Sequence, residues 1–169
     1  MIYMNTPFSE EDISRLKVGD IVSISGYIYC GRDAVLPKII LHALQGTLAD
    51  ENVDLQGAVI FHTAVSPAGV GPTSSNKLEI ESSMEPLSKA GVKMHLGKGA
   101  IKQETVKALA EQNAVFAIIP PVTALLESQT TEREVICYPE LGMEAFYRIK
   151  VENYQAIIAA AKGESIYGK

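Results

Sequence analysis

The sequence predicts an α/β domain in which at least part of the sheet is parallel. Short apolar runs alternate with amphipathic, helix-like segments from residue 18 to residue 138. The connections between them are short and marked by glycine or proline. The size agrees: 169 residues, 47% of them hydrophobic, suffice for one well-packed domain and not for two ordinary ones, so residues 1–169 are expected to form a single unit.

Ser9 to Leu16 reads as a capped turn of helix, with Ser9 as cap and Asp12 three residues on in the place of the usual glutamate. Lys17-Val18-Gly19-Asp20 turns the chain into an alternating strand from Ile21 to Tyr29, which ends at Cys30-Gly31-Arg32-Asp33. Ala34, Leu36, Ile39, Ile40 and Leu44 then line one face of a helix, provided that Pro37 lies in its first turn. After a polar loop from Gly46 to Gln56, Ala58 to His62 is a buried strand, and Thr63 to Gly71, rich in Gly and Pro, is expected to be a loop. A helix follows, and Pro86 is expected to open a second short one that stops at Gly91. Val92–Leu96 and Val115–Ile119 read as strands on either side of a helix from Gln103 to Asn113. Pro120-Pro121 breaks the pattern, a small helix is expected at Thr123–Glu127 and a strand at Glu134–Tyr138. Phe146 to Val151 alternates as a strand with one exposed face, and Tyr154 to Ala161 is read as its hairpin partner, although the alanines also suit a helix.

A net charge of −5 with a pI near 5.2 gives no basic face for nucleic acid or an anionic membrane. Any anion site must be a local positive pocket. The opening residues MIYMNTPFSEED do not read as a signal peptide and no stretch is long enough to span a bilayer, so a cytoplasmic protein is expected. Cys30 and Cys137 lack the spacing of a zinc site or disulfide framework, and two cysteines cannot supply the usual four thiolates of an iron–sulfur cluster.

Three positions carry candidate chemistry. In Val70-Gly71-Pro72-Thr73-Ser74-Ser75-Asn76-Lys77-Leu78-Glu79, a turn and a row of hydroxyls precede apolar residues at helical spacing. Unpaired N–H groups and the peptide dipoles suit such a helix start to a carboxylate or phosphate, with Lys77 adding a full charge nearby. Taken by themselves, the same residues read first as ordinary N-cap chemistry. Arg32 stands at a strand-to-helix junction, where loops of α/β proteins carry ligand contacts. Lys98, between Gly97 and Gly99, either faces a ligand that the glycines let approach or is a solvated lysine in a turn. His62 reads as a core or edge histidine. Because Arg32, Thr73 and Lys98 each follow a strand or start a helix, they are expected to gather at one sheet edge.

The order Gly31-Arg32-Asp33, then Gly71-Pro72-Thr73-Ser74-Ser75-Asn76-Lys77, then Gly97-Lys98-Gly99, then Tyr138-Pro139-Glu140-Leu141-Gly142-Met143-Glu144-Ala145 resembles the C-terminal domain of class I fumarate hydratases and, equally, the β subunit of iron–sulfur L-tartrate dehydratases. The resemblance implies a swivelling β/β/α domain with a mixed sheet and the reversible hydration of a small dicarboxylate, fumarate/malate or tartrate/oxaloacetate. It implies a [4Fe–4S] cluster held by a partner α subunit and not by this chain, and a hydro-lyase active only when that subunit is present, in an oligomer. By position, Thr73 resembles the family's catalytic base, Arg32 and Lys98 resemble its substrate-binding arginine and lysine, and Lys77 falls where the family has an arginine for the second carboxylate. Lysine cannot make arginine's planar two-pronged contact. Leu36 and Pro37 likewise stand where the family shows a histidine and a basic residue. These departures leave a second expectation, a non-catalytic dicarboxylate-binding or regulatory module that retains the fold.

Overall fold

The computed structural model describes residues 1–66, 69–73, 77–119 and 129–166, with side chains described outside residues 66–80. Within these residues the domain has mixed α/β content and a mixed sheet. Strand β1 (Ile2–Asn5) leads to α1 (Glu10–Ser14), whose Ser9 cap accepts from the Asp12 N–H at 3.0 Å while the Asp12 carboxylate accepts from the Ser9 N–H at 3.0 Å. This is the expected capping box, worth about 1 kcal/mol. Strand β2 (Ile21–Cys30) and helix α2 (Leu36–Gln45) follow, with Pro37 in the first turn as its missing N–H requires. Next come β3 (Val59–Phe61), the hairpin β4 (Thr63–Ser66) and β5 (Gly69–Thr73), α3 (Lys77–Lys89), β6 (Met94–Gly97), α4 (Gln103–Glu111) and β7 (Val115–Ile118). Strands β8 (Thr130–Cys137), β9 (Phe146–Ala161) and β10 (Glu164–Ser165) end the described chain, with a 3-10 segment at Pro139–Glu144 between the first two.

Pairing closes five of these strands into a ring. Strands β2, β3, β6 and β7 run parallel to one another in that order, and β9 pairs antiparallel with both β7 and β2. A ring has no exposed central edge, and its strands alternate between a packed interior and an outer face. The interior holds Val22, Ile24, Ile28, Phe61, Leu96, Ala117, Ile149 and Ile158, all essentially inaccessible to solvent. On the outer face, α2 covers Ile60 with Leu36 and Ile39, while α4 covers Phe116 with Val106 and Leu109. Helix α3 lies between them and contributes to both clusters through Leu87 and Met84. β3 is therefore buried on both faces, which explains its unbroken apolar run.

Four elements differ from the sequence expectation. Thr63–Gly71 is not simply a loop, since β4 and β5 pair in a separate two-stranded sheet. Its Gly and Pro content hid the strands because neither lies in the ring. Helix α3 is continuous through Pro86 instead of restarting there. The lost backbone bond is offset by the burial of Met84 and Leu87 on either side. Tyr154–Ala161 is not a hairpin partner of Phe146–Val151 but its continuation in one strand, whose actual partners are β8, β2 and β7. Strand β1, paired parallel to β2, went unread. Pro120-Pro121 and the expected helix at Thr123–Glu127 lie outside the described residues.

Candidate functional site

The C-terminal ends of the parallel strands meet at one end of the ring. The Gly31 N–H donates to the Phe61 carbonyl at 3.1 Å, so the chain after β2 is tied to the end of β3. The His62 N–H donates to the Leu96 carbonyl at 3.1 Å, which ties the same point to β6 just before Gly97 and Lys98. Thr63 is the register partner of Thr73. Arg32, Lys98 and the backbone of Thr73 are thus brought to one edge around His62. Thr73 ends β5 and α3 begins at Lys77, so the row of hydroxyls falls just before that helix; Ser74 to Asn76 and the side chains of Thr73 and Lys77 lie outside the described residues.

Two motif glycines are explained by packing. A Cβ on Gly31 would come within 2.9 Å of the Val35 side chain and 3.1 Å of Phe146, and one on Gly97 would meet the Phe116 ring at 3.2 Å. Either substitution would push a strand end outward. Leu36 is 2% exposed and belongs to the cluster beneath α2, so at that position the chain uses a side chain as core. Asp33, Leu36, Pro37 and Ile40 face Ser82, Ser83 and Pro86 across a cleft of about 250 Å³ between α2 and α3.

Arg32 is about three-quarters buried and its Nη2 lies 2.9 Å from Glu144 Oε2. Sequence reasoning did not assign Glu144. The signal was present, because Glu144 belongs to the last motif and the ion pair joins that motif to the first. Lys98 is exposed beside Gly99, whose φ of +78° turns the chain away from β6. His62, read as structural from sequence, lies at the centre of the edge and is completely buried, as is His95. His62 Nε2 is 3.0 Å from His95 Nδ1, and His95 Nε2 is 2.9 Å from Ser88 Oγ. Burial holds the His62 imidazole at a pKa of about 3. His95 is held well below the usual histidine range by burial and by His62, so both rings are neutral at pH 7. Their pairing could not be read without knowing that β3 and β6 are neighbours.

Both cysteines are inside. Cys30 lies in the ring interior and burial raises its thiol pKa, while burial and nearby Glu51 and Glu140 push Cys137 up to about 11. Protonated thiols in packed apolar clusters do not fit the role of cluster ligands. Among the described residues, no group of three or more His, Cys, Asp or Glu is placed to hold a metal ion. No described helix is long and apolar enough to cross a membrane.

A closed α/β ring with Arg32 and Lys98 in the loops at its parallel strand ends defines the class: a small mixed α/β domain whose loops gather at one edge. The chain belongs to the family described as fumarase C-terminus, whose model matches residues 1–169. It is 30% identical over 180 residues to a fumarate hydratase class I of Geobacillus stearothermophilus, covering 99% of this chain and 34% of that protein. It is 30% identical over 184 residues to an L(+)-tartrate dehydratase subunit beta of Methanocaldococcus jannaschii, covering 99% of this chain and 91% of the relative. The names of both are provisional. The L(+)-tartrate dehydratase subunit beta of Escherichia coli K12 is 28% identical over 168 residues, covering 93% of this chain and 81% of its own. The chain therefore spans about a third of the fumarate hydratase and most of each β subunit.

Proposed function

We propose that this chain is the β subunit of a cytoplasmic hydro-lyase that reversibly hydrates a small dicarboxylate, fumarate or the dehydration product of tartrate, in an oligomer with an α subunit. The observation that carries this reading is the gathering of Arg32, Lys98 and the Thr73 backbone at one strand edge of a chain that matches the family along its whole length. Arg32 and Lys98, with Lys77, bind the two carboxylates, since one small dianion calls for more than one cation. Thr73 removes the carbon-bound proton. A threonine hydroxyl is a weak base unless its alkoxide is stabilised, and the start of α3 together with the lysines supplies that field. Glu144 orients Arg32 by holding Nη2. In this reading the [4Fe–4S] cluster belongs to the α subunit and supplies Lewis-acid assistance to the departing hydroxyl.

The test is Thr73→Ala in the assembled complex. Turnover is expected to fall at least about 100-fold, the lower range of a general-base contribution, with assembly intact. Undiminished turnover would remove Thr73 from the mechanism. Leu36 supports a second reading, a dicarboxylate-binding or regulatory module, because at that position the chain presents core and no polar group. That reading predicts that the chain by itself gains thermal stability from malate or tartrate, and that no complex containing it turns either over.

A further inference from the structure

The two buried histidines form part of a longer hydrogen-bonded chain that ends at Ser88. Each ring nitrogen in it can donate or accept, depending on the tautomer. With the His95 hydrogen placed on Nε2, toward Ser88 on α3, the chain takes a single polarity. His95 Nδ1 is then an acceptor, and His62 Nε2–H donates to it at 3.0 Å. This leaves His62 Nδ1 as a lone pair, buried and without a hydrogen-bond partner among the described residues. A bare buried acceptor is costly and uncommon, and its position calls for an explanation.

The ends of the chain lie toward opposite ends of the ring. His95 is the register partner of Ile60, and His62 follows the end of β3, at the edge that carries Arg32, Thr73 and Lys98. Ser88 lines a polar cleft of about 290 Å³ at the other end, together with Glu10, Lys89, Lys93, Gln112 and Asn113. We propose that Ser88, His95 and His62 form a proton path through the domain, connecting this cleft to the candidate site.

Each step conserves protons and electrons. A proton released at the site joins His62 Nδ1, the His62 Nε2 proton passes to His95 Nδ1, the His95 Nε2 proton passes to Ser88 Oγ, and the Ser88 proton leaves to water in the cleft. Passage in the opposite direction restores the starting tautomers. In a hydro-lyase, whose use of the path rests on the function proposed above, the outward passage accompanies removal of the carbon-bound proton. The inward passage returns a proton as the departing hydroxide becomes water. A site enclosed between two subunits thereby stays in protonic contact with solvent.

The test uses the full chain with ¹⁵N-labelled histidine. Long-range ¹H–¹⁵N spectra are expected to show both rings protonated at Nε2 alone. In D₂O, Ser88→Ala is expected to slow exchange of both Nε2 hydrogens by roughly an order of magnitude, while the backbone amides of Phe61 and Leu96 keep their rates and Ser88→Thr restores the original behaviour. A proton on His62 Nδ1, or side-chain exchange unchanged in Ser88→Ala, would overturn the proposal. The tautomers are read on the unaltered chain and need no variant to fold. In the assembled complex, Ser88→Ala is expected to reduce loss of substrate-derived deuterium to solvent relative to turnover. A complex without turnover would count against the hydro-lyase reading and leave the spectroscopic result standing.

Discussion

The two ends of the ring both carry charge, and they use it differently. At the end before β6 and β7, Lys93 is 9% exposed, its Nζ lies 2.6 Å from Glu10 Oε2 and donates to the Gln112 carbonyl at 2.9 Å. Asn113 donates to the Glu10 backbone carbonyl and carboxylate at 3.0 and 2.9 Å, which clamps α1 to the ring. The buried cation there is consumed by internal partners. At the other end Lys98 is exposed, and Arg32 pairs with the Glu144 carboxylate, which comes from a loop that faces the same edge. A charge fully engaged with its own chain is a structural clasp; two cations brought to one edge from separate loops are suited to a ligand that bridges them.

The largest expected effect separates the ends by function. Arg32→Met in the assembled complex should raise KM for the dicarboxylate by about 10- to 100-fold, the scale of a hydrogen bond to a charged group, with little loss of thermal stability. Lys93→Met should leave KM unchanged. Equal effects on KM, from steady-state assays of both variants, would erase the distinction.

Acid provides the next contrast. The folded pKa of His62 is lowered to about 3 from an ordinary 6.5. The unfolded chain therefore binds more protons across that window, and stability is full above pH 6.5 and declines as the pH falls toward 3. The slope is about 1.4 kcal/mol per pH unit for His62. His95 acts in the same direction, and so does Glu10 below its ordinary 4.5, since the Lys93 bond lowers its pKa. Urea unfolding at pH 7, 6 and 5 measures the slope, and His62→Gln should reduce it.

Within the clasp the two partners should differ. Glu10 has 71% of its side chain exposed, so Lys93→Met lets it return to water and should cost under about 1 kcal/mol. Glu10→Ala removes the carboxylate from a buried ammonium and should cost about 1–3 kcal/mol. Chemical denaturation of both variants would reveal a reversed order. The smallest effect is expected at Glu144→Gln: the Arg32 pair is more than a quarter exposed, and stability should change by less than about 1 kcal/mol.

Much of this fold was legible locally. The Ser9–Asp12 capping box, the first-turn position of Pro37 and the apolar runs of β3, β6 and β7 depend on near neighbours, and each is where residue pattern places it. Ring closure was not legible, because the β2–β9 register joins Ile21 to Ile157 from opposite ends of the sequence. The convergence of Arg32 and Lys98 on one edge could be read from their places after strands. Glu144 had its motif as a signal but not its partner, and the Ser88–His95–His62 chain had none, since each contact depends on which elements become neighbours in space.

The most direct test of the central claim is anaerobic affinity purification of this chain from its own cells, followed by a visible spectrum and a hydration assay of the eluate. A brown partner subunit that accompanies the chain, with conversion of fumarate or dehydration of tartrate, is the predicted result. A colourless eluate holding this chain alone and inactive toward both acids would contradict it.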